Sequence, residues 1–423
     1  MRFVRPGEER ALRLGYCLNL HAAESVADVR AALETFSAPL RDRLLEGGDT
    51  RFGVGMYLAS GAARELAADA GATADLRAFL DEHRFDPFTF NAFPFGGFQE
   101  DGLKERVYEP TWLTPERVAF TVDVARVAAA LASGRSEDDA HVSISTHPGA
   151  YGADVRDRST LRRCAEGFGR AVGELARIED ETGVRIVLSL ESEPDASARN
   201  ARALAESLVF TRLVASRVLQ DEFGRDVEAS GRLAARHLGT CLDCCHSAVE
   251  FEDAAEALTL ASHEGPLGKV QFSSAIRLAS PGEREDARVR LLAMDEPRFL
   301  HQVTARSGGE FVHLPDLPAL RAAVAAGDAT WLGAEEWRCH FHVPVDRADV
   351  GVLGTTRDHA DAILDGLLAA PADWSTPELH VEIETYTWSV LDEEVDVVDG
   401  LEAEYRHVLG RLAAGGWERA EGA

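Results

Sequence analysis

The sequence predicts a (β/α)8 barrel. Three observations carry that prediction: strand-like and helix-like segments alternate along nearly the whole chain, several strands end in side chains that ligate metals, and one excursion accounts for length beyond an ordinary barrel. The chain has 423 residues, against about 250 for a typical barrel. We read residues 1–423 as a single barrel domain with an insertion at residues 274–336, placed over the C-terminal mouth of the barrel.

The run L-R-L-G-Y-C-L-N-L at residues 12–20 is strand-like, and residues 26–45 carry a helical apolar period. Residues 52–58 form the second strand, with helical segments at 61–82, and residues 87–93 the third, followed by a long loop and a helix at 115–132. Residues 142–146, 185–190, 238–242 and 269–273 are strands four to seven, each a short apolar run. The helical segments between them lie at 162–181, 198–221 and 254–262. A helix at 359–368, a strand at 379–384 and a helix at 398–412 close the series. The insertion holds two strand-like pieces, at 299–305 and 311–314, and an Ala-rich helix. Strand order cannot be read from sequence, so an open doubly wound sheet is the competing architecture.

Composition narrows the function. The 72 Asp and Glu against 44 Lys and Arg give a net charge of -28, which repels a phosphate backbone and argues against a nucleic-acid partner. No apolar run approaches the roughly 20 residues a membrane span needs, and the N-terminal segment lacks the apolar core of a signal peptide. We expect a cytoplasmic protein whose partner is a small-molecule metabolite; an oligomer is compatible with the sequence. The 6 Cys lack the paired spacing of a zinc ribbon and read as buried thiols.

The chemistry gathers at the strand ends. Asp243 and His246, in C-L-D-C-C-H, stand at the end of strand six, where a carboxylate is costly to bury unless a cation or donor meets it. Its bland alternative is a helix cap. Strand five ends L-S-L-E-S-E, and period-two alternation puts Glu191 and Glu193 on one side, with Glu193 the better candidate for a cap. Strand eight brings Glu382 and Glu384 to one side by the same parity, and strand seven turns Lys269, Gln271 and Ser273 inward. After the insertion comes H-F-H, whose His340 and His342 point the same way on an extended segment, as for a shared ion. Strand four ends in His147-Pro-Gly. Lys104 and Lys269 are the only lysines in a chain that otherwise uses arginine, which marks them as sites where a compact ammonium is needed. The aromatic loop from Phe88 to Phe98 suits the wall of a pocket for a flat or apolar group.

These motifs resemble a known group. Asp243-x-x-His246, Glu191 and Glu384-Thr385 are similar to the xylose isomerase-like TIM-barrel superfamily, which includes sugar isomerases, epimerases and the endonuclease IV group. The ordered stretches G-Y-C-L-N-L-H, N-A-F-P-F-G-G-F, K-E-R-V-Y-E-P-T-W, K-V-Q-F-S-S-A, H-F-H-V-P-V and V-E-I-E-T-Y-T-W resemble the EboE-type metabolite traffic proteins over nearly the whole chain. The resemblance implies a divalent ion held by Glu191, Asp243, His246, His342 and Glu384, with manganese or zinc ahead of magnesium because imidazole is in the set. The histidine that the superfamily carries on strand seven falls on Gln271 here, a weaker ligand, for which His342 compensates. Glu191, Glu384 and Lys269 are the expected catalytic residues, and Asn91, Phe93, Phe95, Lys104, Gln271 and Trp388 the expected substrate contacts. Two functions follow: metal-dependent proton transfer of the isomerase or epimerase kind on a small oxygenated metabolite, or non-catalytic carriage of such a metabolite. Phosphodiester cleavage is disfavoured by the charge.

Overall fold

In the computed structural model, residues 1–45, 50–132, 141–152, 157–263, 265–388, 391 and 395–420 are described. Eight strands form a parallel ring: β2 (Ala11–Tyr16), β3 (Phe52–Tyr57), β4 (Phe85–Asn91), β5 (His141–Thr146), β6 (Arg185–Glu191), β7 (Leu238–Asp243), β8 (Leu267–Phe272) and β15 (Glu378–Ile383). From β3 to β8 each strand pairs in parallel with the next, and β15 pairs with both β8 and β2. The parallel bridge Cys17↔Gly55 joins β2 to β3 and closes the barrel, so the open-sheet alternative falls. All eight strands are buried along their length, apart from Arg185 at the start of β6. The short strands β1 (Arg2–Val4) and β16 (Glu418–Arg419) add an antiparallel margin beside β2.

Most of the expected helices form near their expected bounds, and that over Pro115–Ala132 matches its reading. A helix at Val227–His237, capped by Asp226, was not foreseen. It runs into β7 at Leu238 without an intervening turn.

The excursion after β8 builds a second, antiparallel sheet in the order β11-β10-β12-β9-β14-β13. Its strands are β9 (Ser274–Ala279), β10 (Val303–Ser307), β11 (Glu310–Leu314), β12 (Glu336–Val343), β13 (Asp349–Val350) and β14 (Leu353–Thr355). The sheet therefore runs past Glu336 to Thr355, and His340 and His342 lie on its central strand β12. It has an apolar core of its own, including Ile276, Leu278, Leu291, Trp337 and Phe341.

Inside the barrel, charges are paired in layers. Arg13 donates to Glu378 at 2.6 Å and to Asp86 at 2.5 Å near the N-terminal end of the strands. Midway up, the Lys269 ammonium meets Glu382 Oε2 at 2.5 Å, both side chains fully buried. A side chain at Gly55 would overlap the Glu382 carboxylate, so glycine there makes room for the pair. Among the described residues no helix is long and apolar enough to cross a membrane.

Candidate metal centre

Above the Lys269–Glu382 layer, three carboxylates from three strand ends converge. Glu191 closes β6, Asp243 closes β7 and Glu384 follows β15; their ligand atoms lie within 4.8 Å of one another, and all three residues are buried. Each keeps one oxygen without a hydrogen-bond partner: Glu191 Oε2, Asp243 Oδ2 and Glu384 Oε2. The other oxygens of Asp243 and Glu384 are committed. Asp243 Oδ1 accepts the His246 N–H at 2.9 Å and caps the helix Cys244–Val249, so Asp243 is both cap and candidate ligand. Glu384 Oε1 accepts from Asn19 Nδ2 at 2.7 Å and Asn91 Nδ2 at 3.1 Å. Burial, followed by the charges of Glu384 and Asp243, pushes the Glu191 carboxyl well above its ordinary range; burial and the Asp243 charge do the same to Glu384. Orphaned, mutually repelling carboxylate oxygens in a dry site are what a bound cation relieves, so these residues fit a divalent ion.

Beside them stand three imidazoles. His246 Nδ1 faces the Ser192 carbonyl at 2.8 Å, and its Nε2 lies 3.2 Å from Glu193 Oε2. His340 and His342 arrive from β12. His342 Nδ1 is 3.0 Å from the Glu384 carbonyl oxygen and 4.0 Å from Asp243 Oδ2, and Tyr386 stacks on its ring with centroids 4.5 Å apart.

Glu191, Asp243, His246, His342 and Glu384, the expected ligands, are thus brought together. Gln271, an expected substrate contact, does not line the cavity: its Oε1 accepts from Cys241 Sγ at 2.7 Å, and β12 supplies imidazole where β8 supplies none. Nor does Lys269 line the cavity; burial opposes its charge, but Glu382 holds the ammonium above its ordinary range.

The centre forms the floor of a small cavity that opens at the barrel mouth. Asn91, Phe93 and Lys104 line it as expected, with Phe98, Leu103, Tyr108, Phe299 and Tyr386 completing the walls. Lys104 is tied to Asp316 at 2.9 Å and Asp295 at 3.6 Å, and Arg298 to Asp101 at 3.1 Å, so the rim cations are already neutralised. Phe95 turns away to pack on Phe120, and Trp388 donates to the Thr385 carbonyl at 2.9 Å; neither lines the cavity. His147 is buried against Phe93 and Tyr108, also off the cavity wall.

Three contributors stood outside the expected ligands and substrate contacts. Asn19 is buried, lines the cavity, anchors Glu384 and leaves its Oδ1 without a donor. Glu193, read as a cap, instead meets His246; burial raises its carboxyl to about 7 against the opposing effect of His246. Tyr386 follows Glu384 by two residues and braces His342. The N-L-H and E-T-Y motifs held the signal for Asn19 and Tyr386, but not their roles.

No family model matches the sequence, and no curated protein matches it. Solved structures do resemble it. The IolI protein with a bound zinc atom is 12% identical with a TM-score of 0.45, covering 95% of this chain and 99% of that one. L-ribulose 3-epimerase is 12% identical with a TM-score of 0.46, covering 96% and 95%. D-psicose 3-epimerase in the presence of D-fructose is 11% identical with a TM-score of 0.44, covering 96% and 99%. These neighbours are xylose isomerase-like TIM barrels.

Proposed function

We propose that this chain is an EboE-type metabolite-handling protein that moves a proton at a carbon next to oxygen, in the manner of a metal-dependent isomerase or epimerase. The observation that carries this reading is the set of buried, unpartnered carboxylate oxygens on Glu191, Asp243 and Glu384 at the floor of a small-molecule cavity. The residues that would hold the ion are Glu191, Asp243 and Glu384, joined by His246 or His342. A bound ion would supply positive charge to offset these carboxylates and would polarise an adjacent substrate oxygen.

The chain's own residues supply the rest. Glu384 Oε1 accepts from two amide donors, which fixes the orientation of the carboxylate placed to take a proton from a substrate C–H. The C–H electron pair passes to the neighbouring carbonyl of the substrate. Glu191, which enters the step protonated, returns its proton to the other face or the next carbon and leaves as the carboxylate while Glu384 leaves protonated, so no oxidant is needed. Glu191 and Glu384 are not on opposite walls as two-sided proton transfer suggests; β6 and β15 are three strands apart in the ring. Their carboxylates nonetheless meet in one cluster. The neutralised rim and the aromatic walls favour a substrate with an uncharged oxygenated end and an apolar portion.

Binding without turnover is the second reading, favoured by Gln271, which leaves β8 without a ligand at the site. One experiment separates them. Metal-loaded protein is incubated in deuterated solvent with a panel of small hydroxy-ketones and keto sugars, and deuterium at carbon is read by mass spectrometry. Wild type should incorporate deuterium into at least one member and Glu384→Gln should not, while still binding it. A panel member that binds tightly to wild type without exchange establishes the carrier reading instead.

A further inference from the structure

We infer that the barrel mouth holds a second divalent ion, on the imidazole Nε2 atoms of His246, His340 and His342 with the Glu193 carboxylate. It would lie beside the ion held by Glu191, Asp243 and Glu384, which then keeps carboxylate ligands only and gives up the imidazole that a single ion would share. This rests on the metal reading above and goes beyond it in the number and kind of ions.

The three Nε2 atoms form a nearly equilateral triangle, with edges of 3.1 Å from His246 to His340, 3.0 Å from His340 to His342 and 3.3 Å from His342 to His246. The rings are inclined to one another at 83°, 81° and 50°, like blades about a common point. On every ring the Nδ1 faces an oxygen acceptor. For His246 this is the Ser192 carbonyl at 2.8 Å, and for His342 the Glu384 carbonyl at 3.0 Å. For His340 it is Gln302 Oε1 at 2.6 Å, an assignment fixed because Gln302 Nε2 donates to the Pro194 carbonyl at 3.2 Å. With the ring proton on each Nδ1, where the Ser273 hydroxyl also lies 2.9 Å from that of His342, each Nε2 presents a bare lone pair to the other two.

Three lone pairs aimed at one buried point repel unless a cation lies between them. A proton sits on one N···N line and leaves the third ring facing a bare nitrogen; an ion over the face of the triangle meets all three. Nitrogen ligands about 2.05 Å from an ion lie roughly 2.9 Å apart on an octahedral face and roughly 3.3 Å apart in a tetrahedron. The observed edges span that interval. The fourth ligand is in place, since Glu193 Oε2 is 3.2 Å from His246 Nε2 and Glu193, His246 and His340 converge.

Charge points the same way. Glu191, Glu193, Asp243 and Glu384 are four buried carboxylates, and the nearby Lys269 is already paired with Glu382. Two divalent ions balance four carboxylates, where one leaves two negative charges buried. Asp243 belongs to a cluster on each side, with Glu191 and Glu384 and with His246 and His342, which makes it the link between the loci. Imidazoles select a zinc- or cobalt-like ion, whereas the three-carboxylate locus suits a harder one such as manganese.

The test is the metal content of the purified full chain, loaded with zinc, freed of excess and measured by elemental analysis. Wild type should hold two ions per chain, His340→Ala one, and Glu191→Gln one. With cobalt as the probe, the visible bands of an imidazole-bound ion should vanish in His340→Ala and persist in Glu191→Gln. Wild type with a single ion that is lost in Glu191→Gln, or His340→Ala with the full wild-type content, overturns the inference. If His340→Ala melts early even in chelator, His340→Gln, which keeps a polar side chain of similar reach, gives the same reading. Failure of the carboxylate reading is distinct: Glu191→Gln would then leave the content unchanged while His340→Ala lowers it.

Discussion

At the scale of single residues, the centre depends on how second partners aim first ones. Asn19 and Asn91 both donate to Glu384 Oε1, which leaves Oε2 as the one oxygen free to face the cluster. Partners of this kind commonly change metal affinity by about 10–100-fold when removed. Asn19→Ala should therefore weaken ion binding by roughly tenfold in a chelator competition. Asn91→Ala should do less, because its bond is the longer of the two. Unchanged affinity in both variants would mean that Glu384 does not hold the ion. The role of Asn19 was illegible in the sequence for a simple reason: it meets Glu384 across 365 residues, and only the pairing of β2 with β15 brings the two together. Asp243 was legible because a carboxylate at a strand end is conspicuous by itself, although its double use as cap and candidate ligand was posed as a choice.

At the scale of elements, alternation of strand and helix was readable because each barrel strand is a short apolar run between polar turns. Where the chain lacks such punctuation the reading failed. The helix Val227–His237 passes directly into β7, and only Ser273 separates the end of β8 at Phe272 from the start of β9 at Ser274, so neither boundary carries a turn signal. Parity was more informative. It put Lys269 and Glu382 inside the barrel, and the structure joins them as an ion pair below the cavity rather than at its surface. We therefore assign Lys269 to holding the barrel interior. Lys269→Met should destabilise the fold by about 3–5 kcal/mol in denaturant unfolding, because it strands a buried carboxylate. The double variant Lys269→Met with Glu382→Leu should recover much of that loss. Recovered stability together with retained solvent exchange separates a structural lysine from a catalytic one; lost exchange in a stable double variant restores the catalytic assignment.

At the scale of the molecule, the centre joins two packed units. Glu191, Asp243, His246 and Glu384 come from the barrel, while His340 and His342 come from the second sheet, which has its own apolar core. Any ion bound to both sets ties the sheet to the barrel mouth, and its removal leaves facing lone pairs and carboxylates that push the two apart. Ligand binding to the folded state alone stabilises it by RT ln(1 + [L]/Kd), about 4 kcal/mol at a thousandfold excess over Kd. Chelation should therefore lower the melting temperature by several degrees for a chain of this size, and added zinc or manganese should restore it. The loosening should be local before it is global. Trypsin should cut at Arg284, Arg288 or Arg290, in and beside the helix Glu285–Ala293 of the second unit, faster in chelator than in zinc. Cleavage of the barrel helices should keep its rate. If neither melting nor cleavage responds to chelator or to added ion, the histidines are holding the sheet against the barrel through hydrogen bonds alone.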